Sequence, residues 1–277
     1  AESHPRIHVF TDNTPIEVAL GVELIGAPWH SKTPSCDLVS HAIADLEPAA
    51  TIRIVVGHGQ LDNRSNDIRM DIIDRDTVEA AIRGGTIDYL ALGDTHSAIS
   101  LSDTGAIWFS GAPEVTAFRE LPSGQGENNS GKALIVDITK SAAAQAEVTV
   151  AETQIGTWRF DAISADVNSL DDIRDFIAQL DAYPRKDRTV IKYSLVGAVD
   201  LATRQYLEAE LARLRPLFAH LYPRTRTMNL TTAATDVDIA DLDLSGFVLA
   251  AAQELATDTD PVASDALNLL LQLHNEV

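Results

Sequence analysis

The chain has 277 residues, room for one large domain or two modest ones, and its 45% apolar content is that of an ordinary globular protein. A formal charge of −20 is a poor fit to a protein that coats nucleic acid by counterion release. The single cysteine, Cys36, excludes an internal disulfide, and no apolar run reaches the roughly 18 residues of a membrane-spanning helix. The opening AESHPRIHVF has no basic stretch followed by an apolar one, so no secretory signal is read there. With one cysteine, the expected compartment is the cytoplasm.

Residues 7–10 are short and apolar and predict a strand. Residues 16–20 and 22–25 flank Gly21 and predict a hairpin with a tight turn, ended by Pro28, which cannot donate to a ladder. Residues 37–46 carry Leu38, Ala42 and Leu46 at helical spacing. TIRIVV (51–56) is β-branched and reads as a core strand running into Gly57-His58-Gly59. A short helix over 76–82, ended by Gly84-Gly85, precedes a second core strand, 89–92, which runs into Gly93-Asp94-Thr95-His96. Strand, helix and strand in this order predict parallel pairing through helical crossovers. Segments 98–101, 106–109, 133–138 and 147–151 are strands without intervening helices and predict a second, more antiparallel sheet. Between them PSGQGENNSGK (122–132) reads as a mobile loop.

A domain boundary is expected near residues 157–166, giving domains 1–157 and 158–277. Beyond it Ser169 can cap a helix over 170–180, with Asp172 completing the cap. A strand over 189–199, a helix over 201–214 and extended segments 217–222 and 225–230 complete a small α+β module. The tail predicts helices over 246–256 and 261–274. The second has Asp260 as cap, Pro261 at its first position, and Val262, Ala266, Leu269, Leu270 and Leu273 on one face. Nine Lys or Arg against five Asp or Glu between Asp181 and Leu230 make that segment locally basic.

The candidate chemistry lies at two strand ends. His58 follows one core strand, and Asp94 and His96 follow the next. Ligands collect at the carboxyl ends of strands in α/β sheets, and imidazole with carboxylate is a donor set for Mn, Fe or Zn. A glycine directly before His58 and another directly before Asp94 let the backbone turn sharply. His4, His8, His30, His41, His220 and His274 sit in no comparable place, with His30 (PWHSK) kept as an outsider. Cys36 has no spaced partner, and no phosphate-binding G-x-x-x-x-G-K-[ST] loop or nucleophile elbow exists.

The order Gly57-His58, DYLALGDTH, IWFSGAPEVTAFRE (107–120) and KALIVDI (132–138) resembles the back half of the SbcD-type nucleases. These are calcineurin-like metallophosphoesterases, bacterial relatives of the eukaryotic Mre nuclease. VELIGAPWHSKTP (22–34) fits the same frame. The resemblance is close over 22–138 and looser over 158–277, which is similar to the capping region of that family. It implies an α/β chain, α+β overall: the C-terminal half of a metallophosphoesterase β-sandwich flanked by helices, then a small capping domain.

It also implies roles. His58 and Asp94 would ligate one divalent ion and His96 a second, with Mn first in line and Mg or Fe as alternatives. Asp94 stands where most members carry histidine. The Asp-x-His, Gly-Asp and Gly-Asn-His motifs that open the family precede nothing here. The expectation is therefore a truncated or cleaved product without the bridging carboxylate or the acid histidine, binding metal weakly and showing little or no phosphodiesterase activity by itself. DNA, faced by Arg185, Lys186, Arg188, Arg224 and Arg226, and an SbcC-type ATPase are the implied partners, with a homodimer as a further option. Two other readings stand beside the nuclease: a non-catalytic module that docks DNA or a partner, and a small-molecule phosphodiesterase of the same superfamily.

Overall fold

The computed structural model describes residues 7–62, 72–232, 246–258, 260, 262–263, 266–267 and 270. The protein is mixed α/β, α+β overall, with three sheets and five helices among the described residues. Two compact units divide it. One comprises the described residues up to Thr116 together with Glu127–Thr157; the other comprises Ala117–Gly126 and the described residues from Trp158 onward. The excursion Ala117–Gly126, expected within the first domain, thus belongs to the second unit.

In the first unit, β1 (Ile16–Ala19) and β2 (Val22–Gly26) form the expected antiparallel hairpin, turning at Gly21 with φ of 73°. Residues 7–10 form no strand; instead the Phe10 ring lies over Gly26, where a Cβ would collide with it. β3 (Ile52–His58) and β4 (Tyr89–Gly93) extend the sheet in parallel through α1 (Leu38–Ile43) and α2 (Arg75–Arg83). Asp37 caps α1 by accepting from the amides of Val39 and Ser40, and its second oxygen accepts from the amide of Asp74, the cap of α2. One carboxylate thereby ties both helix starts together.

β5 (Ile99–Ser100) and β6 (Ile107–Phe109) join this same sheet, in the order β1-β2-β3-β4-β6-β5, and do not open a second one. Only β8 (Lys132–Thr139) and β9 (Glu147–Gln154) form the separate antiparallel sheet. Their alternate residues Val136, Ile138, Val148 and Val150 pack against the core built on Ile25, Val55, Leu90 and Ile107, all four fully buried. Residues 107–120 form no hairpin: β7 (Arg119–Leu121) pairs in parallel with β10 (Arg159–Asp166) of the second unit.

A buried ion pair locks β8 to the amino ends of β3 and β4. Lys140 Nζ, 1% exposed, lies 2.9 Å from Asp88 Oδ1 and donates to the carbonyls of Thr51 and Gly85. Asp88, fully buried, accepts from the amide of Arg53 at 2.8 Å. Such a pair adds little over an apolar substitute, but removing one partner strands the other charge in the core.

The second unit is built on β11 (Thr189–Val199), flanked in parallel by β10 on one side and by β12 (His220–Pro223) and β13 (Asn229–Thr232) on the other. The expected extended segment 225–230 is half turn, since the amides of Thr227 and Met228 bond back to the Arg224 carbonyl. α3 (Leu170–Asp181) starts at Ser169, whose hydroxyl accepts from the Asp172 amide while the Asp172 carboxylate accepts in return, as the sequence predicts. Its buried Ile173, Phe176, Ile177 and Leu180 recur at helical spacing; α4 (Leu201–Leu214) adds Leu207, Leu211 and Leu214. Each of these side chains contributes about 1.5–3 kcal/mol by burial. The Tyr183 hydroxyl donates to Asp161 at 2.7 Å.

α5 (Gly246–Thr257) follows. In the terminal segment Asp260 accepts from the Val262 amide, the expected cap. The buried positions are Ala263 and Leu267, whereas Val262 is 71% exposed and Ala266 is exposed, so the apolar face departs from the expected one at these two positions and keeps Leu270. Spacings of four and three from Ala263 through Leu267 to the partly buried Leu270 make the stripe. Pro261, Leu269 and Leu273 lie outside the described residues. No helix among the described residues is long and apolar enough to cross a membrane.

Lys140→Met should cost about 3–5 kcal/mol, the penalty for an uncompensated buried charge. The same change at exposed Lys32 should stay within about 0.5 kcal/mol, both read from urea unfolding. In the second unit, burial, the bond to Asp161 and the charge of that carboxylate push the Tyr183 hydroxyl well above the usual tyrosine range. Its folded-state pKa exceeds the unfolded one, so its contribution is whole below about pH 10 and is lost as pH rises toward the folded value. Tyr183→Phe should flatten the alkaline fall in stability relative to wild type; Tyr89, raised to about 12 by burial, is present in both proteins and cancels in the difference.

Candidate functional site

The carboxyl ends of β3 and β4 meet as expected. Their register sets Val55 opposite Leu90 and ends with His58 opposite Gly93. Gly93 leaves room for the imidazole: a Cβ there would stand 3.1 Å from His58 Nδ1. His58 Nε2 lies 3.6 Å from Asp94 Oδ1, and both side chains are accessible, at 56% and 36% exposure. Trp29 fixes the strand end by donating its indole N–H to the His58 carbonyl at 2.8 Å, and its ring meets the imidazole edge to face. A cleft of about 260 Å³ opens beside them, lined by Phe10, Ala27, Pro28, Trp29, Val56, Gly57 and His58.

Asp94 has a φ of 141°, the only positive value at a non-glycine among the described residues. A side chain is held here in a backbone conformation that normally selects glycine, at a cost on the order of 1–3 kcal/mol. The strain turns the chain abruptly off β4, directly after Gly93 and at the residue that faces His58.

His96, two residues on, looks elsewhere. Its Nδ1 lies 3.1 Å from Glu127 Oε2 and 2.7 Å from Thr116 Oγ1. Glu127 is buried, with its side chain 4% exposed, and its other oxygen accepts from the Thr116 amide at 2.8 Å. Burial alone would raise its carboxyl. Hydrogen bonds from Ser130, from the amide and hydroxyl of Thr116 and from His96 outweigh that and hold it below the usual carboxylate range. Around it the segment expected to be mobile is pinned. The Ala98 amide donates to the Asn129 carbonyl, the Asn129 side chain donates to the Ala98 carbonyl, and the Gly131 amide donates to the Ala112 carbonyl. Composition pointed to a loose loop because it counts glycines and polar residues, and cannot register that the loop lies along residues 96–98.

The structure thus brings His58 and Asp94 together and leaves His96 in a separate polar cluster with Glu127 and Thr116, two residues the sequence did not single out. Among the described residues no three His, Cys, Asp or Glu side chains converge as a metal-holding group. The exposed imidazole and carboxylate at 3.6 Å fit one side of a divalent-ion site in donor chemistry and accessibility. His30 and Cys36 are exposed and join neither cluster.

The basic residues of the second unit are unevenly engaged. Arg185 is paired with Asp187, Lys186 donates to the carbonyls of Asp181 and Tyr183, and Arg224 is paired with Glu120. Arg188 lies over the Trp158 ring at 5.2 Å, and Arg226 is exposed. In comparison with known proteins, no family model matches the chain and no curated protein is a significant match.

Relief of backbone strain separates Asp94 from its neighbours. Asp94→Gly should be more stable than Asp94→Ala by about 1 kcal/mol, the reverse of the ordinary ranking, because both lose the carboxylate and only glycine accepts this φ without strain. Paired thermal melts of the two variants measure it.

Proposed function

We propose that the chain is the C-terminal part of an SbcD-type, metal-dependent DNA exonuclease or phosphodiesterase, supplying part of a two-ion site. The observation that carries the reading is the pairing of His58 with Asp94 at the ends of adjacent parallel strands. The motif order GH…GDTH…SGAPE supports it. In this reading His58 and Asp94 hold one divalent ion, with Mn first in line, and His96 contributes to the second. Its separation from the pair is compatible with that division. The bound ions would polarise a phosphodiester and activate water. The residues here bind and orient; the acid histidine and bridging carboxylate of the family are not among them. Cytoplasmic location and work beside an SbcC-type ATPase belong to the same proposal.

Arg188 stacked on Trp158 and the exposed Arg226 are the members of the basic segment best placed to meet phosphate. A second reading, a module that docks a partner protein, is favoured by Phe247 and Val262, which are 86% and 71% exposed on the C-terminal segments.

Titration with Mn²⁺, followed by the electron paramagnetic resonance of the free ion, tests the metal reading. The chain should bind Mn²⁺, and His58→Ala or Asp94→Ala should each weaken binding by about tenfold or more. No binding by the intact chain overturns it. Supplying in trans the Asp-x-His, Gly-Asp and Gly-Asn-His half of an SbcD-type nuclease should restore Mn²⁺-dependent cleavage of linear duplex DNA. Metal binding without any such cleavage would count against the nuclease and favour another substrate or a docking role.

A further inference from the structure

The three-residue cluster around His96 defines a proton position. Thr116 Oγ1 has one hydrogen and lies 2.7 Å from both Glu127 Oε2 and His96 Nδ1. Glu127 Oε2 lies 3.1 Å from the same ring nitrogen. If Nδ1 carried no proton, its lone pair would face the carboxylate oxygen, lone pair against lone pair. With the proton on Nδ1, every contact is satisfied: the Thr116 hydroxyl donates to Glu127, and the Nδ1–H is shared between the Thr116 and Glu127 oxygens. Both groups address the same nitrogen, so the cluster is not a nucleophile–base–acid relay, which would need threonine and carboxylate on opposite ring nitrogens.

We propose that Glu127 and Thr116 are positioning residues for His96, locking its neutral ring as the Nδ1–H tautomer and presenting the Nε2 lone pair to a divalent cation. The cation half rests on the metal reading above; the tautomer half does not. Burial keeps the carboxylate in place. Its Oε1 is anchored by the Thr116 amide, so only Oε2 is directed at the ring. The imidazole itself is 60% exposed, which leaves it accessible to an ion. Carboxylate–imidazole–metal triads use this division of labour, and loss of the supporting carboxylate weakens metal affinity about 10- to 100-fold.

The geometry makes a sharp statement about Glu127→Gln. With its oxygen in the Oε1 place the amide accepts from the Thr116 N–H and sets its NH₂ opposite Nδ1, and the Thr116 hydroxyl turns from donor to acceptor toward it. The NH₂ donates to Nδ1 and forces the proton to Nε2, removing the lone pair offered to metal.

Nitrogen-15 NMR of the imidazole, on metal-free intact chain at mildly alkaline pH, reads the tautomer directly. The wild type should show His96 as Nδ1–H, Thr116→Val should keep that form through the remaining carboxylate bond, and Glu127→Gln should invert it. Mn²⁺ titration of the same samples should show Glu127→Gln weakened about 10- to 100-fold. A wild-type ring that is Nε2–H, or a mixture, overturns the lock without any variant having to fold. An inverted tautomer with unchanged Mn²⁺ affinity overturns the cation half. A locked tautomer in a chain that binds no Mn²⁺ overturns the metal reading while the positioning role of Glu127 stands.

Discussion

Parallel pairing of β3 with β4 runs without a slip from Ile54 opposite Tyr89 to His58 opposite Gly93, and the candidate site rests on it. Because side chains alternate, a slip of one residue would expose the fully buried Val55 or Leu90 and turn His58 to the other face. The apolar core thus fixes the positions of two polar groups it never touches. Asp94 then uses a strained backbone to leave the strand at the point where its carboxylate faces the imidazole. Packing supplies the rigidity that keeps that strain from relaxing.

Charge is buried at both ends of this sheet, under different terms. At the amino end Lys140 and Asp88 neutralise each other, and backbone groups bond to both of them. Beyond the carboxyl end Glu127 is buried without a full cationic partner, and hydrogen bonds from Ser130, Thr116 and His96 hold it ionised. The first arrangement fastens the antiparallel ribbon to the parallel sheet. The second fastens a loop to a histidine whose ring remains open to solvent. One is a structural joint and the other is suited to chemistry, and exposure of the partner separates the two.

Much of this was legible in the chain. TIRIVV and DYLALG announce buried parallel strands by their β-branched and apolar runs, and Ser169 with Asp172 announces the start of α3. Facing of His58 and Asp94 follows once those strands are paired. Elsewhere local pattern lost to long-range pairing. Arg119–Leu121 follows β6 closely enough to suggest a hairpin, yet its ladder partner lies some forty residues ahead, at Asp161–Ile163. Glu127 was invisible for a related reason. Nothing in GENNSG marks its glutamate as buried, because the groups that satisfy it include Thr116 and His96, brought near only by the fold. The terminal stripe was misplaced because several rotations of a leucine-rich helix offer an apolar face, and only the packing partners select one.

The excursion between Thr116 and Glu127 has a genetic consequence. The backbone passes between the two compact units three times, after Thr116, after Gly126 and after Thr157. A piece of gene ending at codon 157 would encode β7 severed from the strand it pairs with, and a piece beginning at 158 would encode β10 with an unfilled edge at Asp161–Ile163. Recombination at a single crossover therefore cannot exchange either unit intact. Exchange of a whole unit needs crossovers on both sides of the excursion as well as at the boundary after Thr157.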